Sequence, residues 1–189
     1  MQPAVAERGF VTGSDVSLLV VSYPDMQQQS SDWITGIRGQ YPGLHHSVLP
    51  PHFTFVFPTS GASESDLAAH VTGCAAGVRR IAFTLRSSLL VKDDSGDTYY
   101  VLLVPDEGFS GVVKLHDKLY TGPLADSLRL DIPFIPHITV GYSTDAPFCK
   151  GVVDALNASE FVIEGTIAAL DIVRKEGATA RTVQRLNLQ

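Results

Sequence analysis

The chain has 189 residues, of which 44% are hydrophobic and 18% are charged, a composition typical of a folded globular protein with a sizeable core. A disordered or fibrous protein is excluded. Asp and Glu outnumber Lys and Arg by 20 to 14, and the net charge of −6 argues against a protein that coats long nucleic acid. A small phosphorylated ligand, held by a few well-placed donors, stays compatible with this charge.

The sequence carries no sign of export or membrane insertion. Its first ten residues lack the apolar segment of a signal peptide, and no apolar run approaches the roughly 18 residues of a membrane span. The two cysteines, Cys74 and Cys149, are not spaced like metal ligands. We therefore expect a cytoplasmic protein with two reduced, packed thiols, although a structural disulfide stays an alternative. No membrane partner is expected, and the chain is expected to be a monomer.

Hydrophobic patterning predicts alternating strands and helices along one domain, residues 15–189, after a flexible N-terminus of residues 1–14. The predicted elements are strand 16–23, helix 28–41, strand 52–58, helix 63–79, hairpin strands 81–92 and 98–104, helix 109–121, a strand within 133–142, helix 145–157, and hairpin strands 161–174 and 181–188.

The two halves of the chain resemble each other. The segment PPHFTFVF in the first half corresponds to IPHITVGY in the second, and His52 and His137 lie 85 residues apart in them. The repeats cover residues 16–97 and 98–189. The sequence thus predicts an α+β fold of two lobes related by a pseudo-two-fold axis, each an antiparallel sheet with helices on its outer side. We expect the lobes to exchange strands, with the C-terminal strand 181–188 beside strand 16–23 and a cleft between the lobes.

The same short motif, H-x-T, stands in each half at His52-Phe53-Thr54 and His137-Ile138-Thr139. Residues two apart on a strand face the same side, so His and Thr point one way while the intervening apolar residues point the other. One H-x-T alone is commonly a half-exposed surface feature. Two copies at equivalent places in a repeat, each after a proline, favour a functional site in which both pairs face the cleft.

Two imidazoles and two hydroxyls around one point suit a phosphodiester. A neutral His can take a proton from attacking water, and a protonated His can donate one to the departing oxygen. The Thr hydroxyls can donate hydrogen bonds to the non-bridging phosphate oxygens. Because a diester carries a single negative charge, neither a metal nor another cofactor is expected.

The motifs PHFTF and PHITV resemble the paired H-x-T-x motifs of the 2H phosphoesterase superfamily, which includes 2′-5′ RNA ligase-like proteins and RNA 2′,3′-cyclic phosphodiesterases. The resemblance extends from about residue 16 to 188. It implies catalytic His52 and His137, phosphate-binding Thr54 and Thr139, and metal-independent chemistry on 2′,3′-cyclic phosphates or related diesters. Where many bacterial members have Arg three residues after the second motif's Thr, this chain has Tyr142, whose hydroxyl can donate to substrate.

Other candidates are weaker. Arg86, inside a predicted strand, is a candidate phosphate clamp, with an exposed strand cation as the alternative. His45 and His46 are expected in a solvated loop, and His70 and His116 on helix surfaces or ends. The predicted function is a phosphodiesterase acting on a small phosphodiester or nucleotide. The alternatives are RNA end processing or 2′-5′ ligation, and a non-catalytic nucleotide- or partner-binding module.

Overall fold

The computed structural model of the chain describes residues 16–94 and 96–189, so the predicted flexible segment 1–14 lies outside the described residues. The strands are β1 (Val16–Ser22), β2 (Asp25–Met26), β3 (Phe53–Thr59), β4 (Ile81–Lys92), β5 (Tyr99–Glu107), β6 (Ile138–Ser143), β7 (Ile163–Ile167), β8 (Ala169–Glu176) and β9 (Thr179–Asn187). The helices are α1 (Gln28–Gln40), α2 (Glu64–Ala75), α3 (Phe109–Leu119) and α4 (Ala146–Ala158), with a 3₁₀ helix over Gly122–Ser127.

The described strands form one nine-stranded antiparallel sheet in the order β2-β7-β4-β5-β6-β3-β1-β8-β9. At its centre β3 and β6, which follow the two histidines, lie side by side. On their outer sides lie β1 and β5, the opening strands of the two repeats, and then β8 and β4. This order has the symmetry that the repeat predicts. Strands are exchanged between repeats, since β4 pairs with β5 of the second repeat and β8 pairs with β1 of the first.

One pairing prediction is wrong. The C-terminal strand β9 pairs with β8 at the sheet edge, and β8 is the strand beside β1. The reason is a break in the segment that was predicted as a single strand over 161–174. At Ala168 it divides into β7, which pairs with β4, and β8, which pairs with β1. The backbone carbonyl of Ala168 accepts a hydrogen bond from Leu188 at 2.8 Å instead of continuing the ladder. The divided segment thus serves both halves of the sheet.

All four helices contribute to the same large core cluster on one face of the sheet. From the helices it contains Ile34 and Ile37 of α1, Leu67 and Val71 of α2, Val112 and Leu119 of α3, and Val152 and Leu156 of α4. From the two central strands it contains Phe53, Phe55, Ile138 and Val140. A second, smaller apolar cluster lies on the opposite face and contains Leu19, Val21, Leu49 and Val173. The sheet therefore has a helix-covered face and an open face.

Helix α2 is shorter than the predicted helix 63–79. Ser63 caps its N-terminus, where the hydroxyl oxygen accepts a 3.1 Å hydrogen bond from the backbone N–H of Asp66. The helix ends at Ala75, before Gly77, whose φ of +73° is the left-handed conformation that glycine adopts at little cost.

No helix in the described part of the chain is long and apolar enough to span a membrane.

Candidate active site

The two H-x-T segments alternate between the faces of the sheet as predicted. Phe53 and Phe55, like Ile138 and Val140, are fully buried on the helix-covered side, where hydrophobic burial fixes the strand orientation. His52, Thr54, His137 and Thr139 are only partly buried, on the open face. Each histidine immediately precedes the first residue of its strand, β3 or β6.

The register between β3 and β6 brings the two motifs together. The strands share one pair of facing residues, Phe53 and Ile138. In an antiparallel pair this register places His52 alongside Thr139 and Thr54 alongside His137. The two histidines are then diagonal neighbours on one face, a relationship that separates residues by about 7–8 Å. An effect of His137 on the pKa of His52 agrees with this proximity.

Each imidazole is oriented by a hydrogen bond of the same kind, from Nδ1 to a backbone carbonyl. Nδ1 of His52 lies 2.7 Å from the carbonyl oxygen of Pro50, and Nδ1 of His137 lies 2.6 Å from that of Ile135. A carbonyl oxygen can only accept, so each Nδ1 carries a proton and donates it. In the neutral rings Nε2 then holds the lone pair. Backbone contacts two residues back thus give the two histidines the same tautomer.

The environment keeps both imidazoles neutral in the free protein. The pKa of His52 is lowered from 6.5 to about 4. Burial is the main cause, the charges of His137 and Arg38 act in the same direction, and the hydrogen bond to Pro50 opposes them. Burial also lowers the pKa of His137, against its hydrogen bond to Ile135. A nearby anion would act in the opposite direction and favour a protonated ring.

The threonine hydroxyls are available to a ligand. Within the described residues neither the Thr54 nor the Thr139 hydroxyl forms a hydrogen bond. Thr54 faces Val21 across β1, and Thr139 faces Leu102 across β5, so apolar side chains flank both. The hydroxyls therefore contribute donors to the open face, and no acceptor in the described part of the chain occupies them.

Arg38 of α1 reaches the same site, which sequence reasoning missed. Its Nη2 donates to the carbonyl oxygen of Thr139 at 2.9 Å, its Nε to that of Val140 at 3.1 Å, and its Nη1 approaches that of Leu49 at 3.5 Å. The Thr139 and Val140 carbonyls belong to β6, which shares only the pair Phe53 and Ile138 with β3, and the Leu49 carbonyl belongs to the loop before β3. Arg38 makes no ion pair with any described residue, and burial lowers its pKa. It therefore places a cation close enough to His52 to lower the pKa of that ring.

Tyr142 lies on the same face as Thr139 because of an irregularity in the strand. The register between β5 and β6 shifts between Val101 and Leu102, so Leu102 faces Thr139 while Tyr100 faces Tyr142. An uninterrupted strand would have turned Tyr142, three residues after Thr139, to the opposite face. The Tyr142 ring lies 5.6 Å from that of Tyr100 and 5.7 Å from that of His45, centroid to centroid.

A second group beside His52 was also missed. The Tyr23 ring meets the His52 ring edge to face at a centroid distance of 6.1 Å. Its neighbour Asp171 is only 2% exposed and forms an ion pair with Arg185 at 2.9 Å. Burial raises the pKa of Asp171, while Arg185 lowers it. The pattern of residues 161–174 alone does not indicate the ion pair of Asp171 and Arg185, because the arginine comes from another strand, β9.

Other predicted residues lie elsewhere. The structure does not bring Arg86 into contact with either motif histidine, since its guanidinium pairs with Asp106 at 2.7 Å and Glu107 at 2.9 Å. His116 lies in the last turn of α3, as the helix-end alternative predicts, but it is not a surface residue. It is 2% exposed and stacks on Phe134 at 3.6 Å between ring centroids. His70 bridges α2 to the end of α3, with Nε2 2.8 Å from the Leu119 carbonyl oxygen. His46 is exposed, as expected.

No group of three or more His, Cys, Asp or Glu side chains in the described ranges is arranged to hold a metal ion. Cys74 and Cys149 are both buried free thiols, as one of the two alternatives predicts.

Comparison with known proteins identifies the family. The family model described as the 2′-5′ RNA ligase superfamily matches residues 24–179, a segment that contains both H-x-T motifs. This chain belongs to the 2′-5′ RNA ligase superfamily. The resemblance to 2H phosphoesterases seen in the sequence is thereby confirmed. No curated protein sequence matches this superfamily member significantly.

Solved structures share its fold. A crystal structure of E. coli LigT complexed with 3′-AMP has a TM-score of 0.58 and 16% identity, and covers 93% of this chain and 99% of LigT. A crystal structure named only as a phosphoesterase has a TM-score of 0.59 and 17% identity over 92% of this chain and 98% of its own. At such identities the likeness establishes that this superfamily member has the LigT-like fold.

Proposed function

We propose that this protein is a phosphodiesterase that hydrolyses 2′,3′-cyclic phosphates or similar small phosphodiesters, with His52 and His137 as general acid and base. The observation that carries the proposal is the shared geometry of the two imidazoles. Both donate from Nδ1 to a backbone carbonyl, and both leave Nε2 for proton transfer on one open face. An in-line displacement at phosphorus uses a base beside the attacking water and an acid beside the leaving oxygen, and two imidazoles can fill these two roles.

The reaction is a hydrolysis with a balanced proton transfer. One neutral imidazole removes a proton from water as its oxygen attacks phosphorus, and the bond from phosphorus to the leaving ribose oxygen breaks. The other imidazole, protonated, gives its proton to that oxygen. The product is a phosphomonoester beside a free hydroxyl. Thr54 and Thr139 would donate to the non-bridging oxygens, and Tyr142 would contact the ligand farther along the same face.

The depressed histidine pKa values fit this scheme when the ligand is included. A bound diester brings a negative charge between the rings and raises the pKa of each. One ring can then hold the proton that the leaving oxygen requires, while the other stays neutral. Since the two rings share a tautomer and a hydrogen-bond pattern, either can serve as the acid, and the orientation of the bound diester selects it.

Nucleotides are the ligand class that the relatives support. LigT has been crystallised with 3′-AMP, with ATP and with NADP+. A 3′-phosphomonoester is one of the two products that hydrolysis of a 2′,3′-cyclic phosphate yields. These ligands support a small nucleotide substrate for this chain, and its net charge of −6 supports a small substrate over a long strand.

Phosphorus NMR with 2′,3′-cyclic nucleotides tests the proposal, because it reports turnover and distinguishes a 2′- from a 3′-phosphate product. His52→Ala and His137→Ala should each reduce turnover by about 10²–10⁴-fold, the usual contribution of a positioned acid or base. His46→Ala is the matched control, since His46 is exposed and lies outside both motifs. Turnover is expected to persist in EDTA. Full activity in both motif variants would refute the assignment.

RNA end processing or 2′-5′ ligation is the second candidate, and membership of the 2′-5′ RNA ligase superfamily supports it. The same NMR assay with RNA carrying a 2′,3′-cyclic end, and with the joined 2′-5′ product, compares the two reactions. Faster turnover of RNA ends than of mononucleotides would favour this candidate. A non-catalytic binder would turn over none of these compounds while still binding nucleotides.

A further inference from the structure

A groove on the helix-covered side of the sheet carries a concentration of unpaired positive charge. It has a volume of about 570 Å³ and lies between α3 and the segment that leads into β4. Its basic side chains are Arg79 and Arg80 from that segment, and Lys114 and Lys118 from α3. We call this cavity the basic groove. It shares no lining residue with the site of His52 and His137.

The charges of the basic groove are not neutralised within the described protein. None of its four cations forms an ion pair with another described residue. Most other cations of the described chain do: Arg86, Lys92, Arg129, Lys150, Arg174, Arg181 and Arg185 each pair with a carboxylate. The net charge of the chain is −6, so the four unpaired cations give the groove a charge opposite in sign to that of the whole protein.

Backbone hydrogen bonds fix the segment that carries two of these cations. Val78 accepts a 2.9 Å hydrogen bond from the N–H of Gln189, and the N–H of Arg80 donates to the Gln189 carbonyl at 2.7 Å. The segment that carries Arg79 and Arg80 is thereby fixed to the end of the C-terminal strand. Lys114 and Lys118 stand one turn apart on the same side of α3, where like charges repel and destabilise a helix. This placement does not stabilise the helix, whereas an anion bound between the two lysines would relieve their repulsion.

The floor of the groove is apolar. Val78, Ile81, Ala82 and Leu115 line it, with Leu115 buried and Ile81 half-buried. A ligand that fits both parts has several negative charges and an apolar or flat portion. The volume is within the range of about 300–1,000 Å³ that small-molecule sites occupy. Arg and Lys side chains are the usual partners of phosphate oxygens, Arg through a planar fork and Lys as a point charge.

We propose that the basic groove binds the polyphosphate of a nucleotide, as an auxiliary site separate from the catalytic face. This chemistry has two sources: a free nucleoside triphosphate, or the 5′-triphosphate end of an RNA strand. The proposal does not depend on hydrolysis at His52 and His137.

Binding of ATP, inorganic triphosphate and adenosine, measured by titration calorimetry and by amide shifts in NMR spectra, tests the proposal. The expected result for ATP is a set of shifts at Gly111, Leu115 and Ile81 that increasing salt weakens. Adenosine alone should bind at least tenfold more weakly, because it lacks the charges. A short RNA with a 5′-triphosphate, compared with its 5′-hydroxyl form, distinguishes the RNA source from the free nucleotide.

Charge-neutral variants locate the site. Lys114→Gln/Lys118→Gln and Arg79→Gln/Arg80→Gln should each weaken ATP binding by about tenfold or more and remove the shifts in the groove. Lys150→Gln/Arg181→Gln changes the net charge equally but removes cations that are already paired, so it should bind like the wild type. All of these side chains are exposed, and circular dichroism verifies folding.

The design separates the basic groove from the active site. His52→Ala should keep the shifts in the groove even though it loses turnover, and the groove variants should keep turnover of 2′,3′-cyclic nucleotides. Wild-type binding by both groove variants would overturn the proposal. So would an equal loss in the Lys150/Arg181 control, or ATP-induced shifts confined to the face of Thr54 and His137.

Discussion

The guanidinium of Arg38 donates a 2.9 Å hydrogen bond to the backbone carbonyl of Thr139, a residue 101 positions later in the chain. This contact joins α1 of the first repeat to β6 of the second. The accepting strand, β6, shares only the pair Phe53 and Ile138 with its neighbour β3. Arg38 thus supports the backbone of one motif while its charge acts on the histidine of the other.

Replacing Arg38 by Met should destabilise the protein and alter the titration of His52. Carbonyl oxygens of Thr139 and Val140 would lose their donor, and a buried unpaired acceptor costs about 1–3 kcal/mol. Loss of the cation should raise the pKa of His52, because the Arg38 charge lowers it. Histidine NMR titration and denaturant unfolding measure the two effects. Arg38→Lys keeps the charge but lacks the planar fork whose separate nitrogens, Nε and Nη2, reach the two carbonyls, so it should restore the low pKa with only part of the stability.

Acid should destabilise the protein through His52. Its pKa is about 4 in the folded state against 6.5 as the ordinary value, so the unfolded chain binds more protons between these two pH values. Stability is therefore full above pH 6.5 and falls as the pH decreases towards 4. The loss is at most about 3 kcal/mol, and less to the extent that solvent reaches the partly buried ring.

His52→Gln is the variant that isolates this effect. It removes the titrating group, so its unfolding free energy should depend less on pH than that of the wild type over the same window. Urea unfolding at pH 7, 6, 5 and 4.5 gives the comparison. His137, whose pKa burial also lowers, should keep part of the dependence in this variant. Parallel pH profiles for wild type and His52→Gln would show that His52 is not buried in its neutral form.

Ligand binding should take up protons. An anionic phosphomonoester such as 3′-AMP between the rings should raise the pKa of His52 and His137, which are lowered in the free protein. Affinity should therefore increase as the pH falls from 8 towards 6. Calorimetry in buffers with different ionisation enthalpies gives the number of protons taken up at pH 7. A value of zero, together with pH-independent affinity, would contradict the coupling.

The parts of this molecule that the sequence predicts are those encoded by local alternation. The buried Phe53 and Ile138 between half-exposed His and Thr residues follow directly from a period of two. Contacts between distant segments leave no such pattern, and Arg38 reads as an ordinary polar position in its helix. The division of the 161–174 segment at Ala168 is equally hidden, because the residues around it, Ile167–Ala169, are all apolar and carry no Gly, Pro or turn signal. Tyr142 faces the site through a register shift that no spacing rule anticipates.

Thr54→Val and Thr139→Val should separate catalysis from stability. Val replaces the hydroxyl by a methyl group of similar size, and neither hydroxyl bonds to another described residue, so the unfolding free energy should change little. Turnover of a 2′,3′-cyclic nucleotide should fall by roughly 10²-fold for each variant if the hydroxyl stabilises developing charge on a phosphate oxygen. The matched controls Thr54→Ser and Thr139→Ser keep the donor and should retain most of the activity. If the hydroxyls bind one phosphate group, the double Val variant should lose less than the product of the single losses. Equal activity in the Val and Ser variants would instead assign both threonines to packing beside Val21 and Leu102.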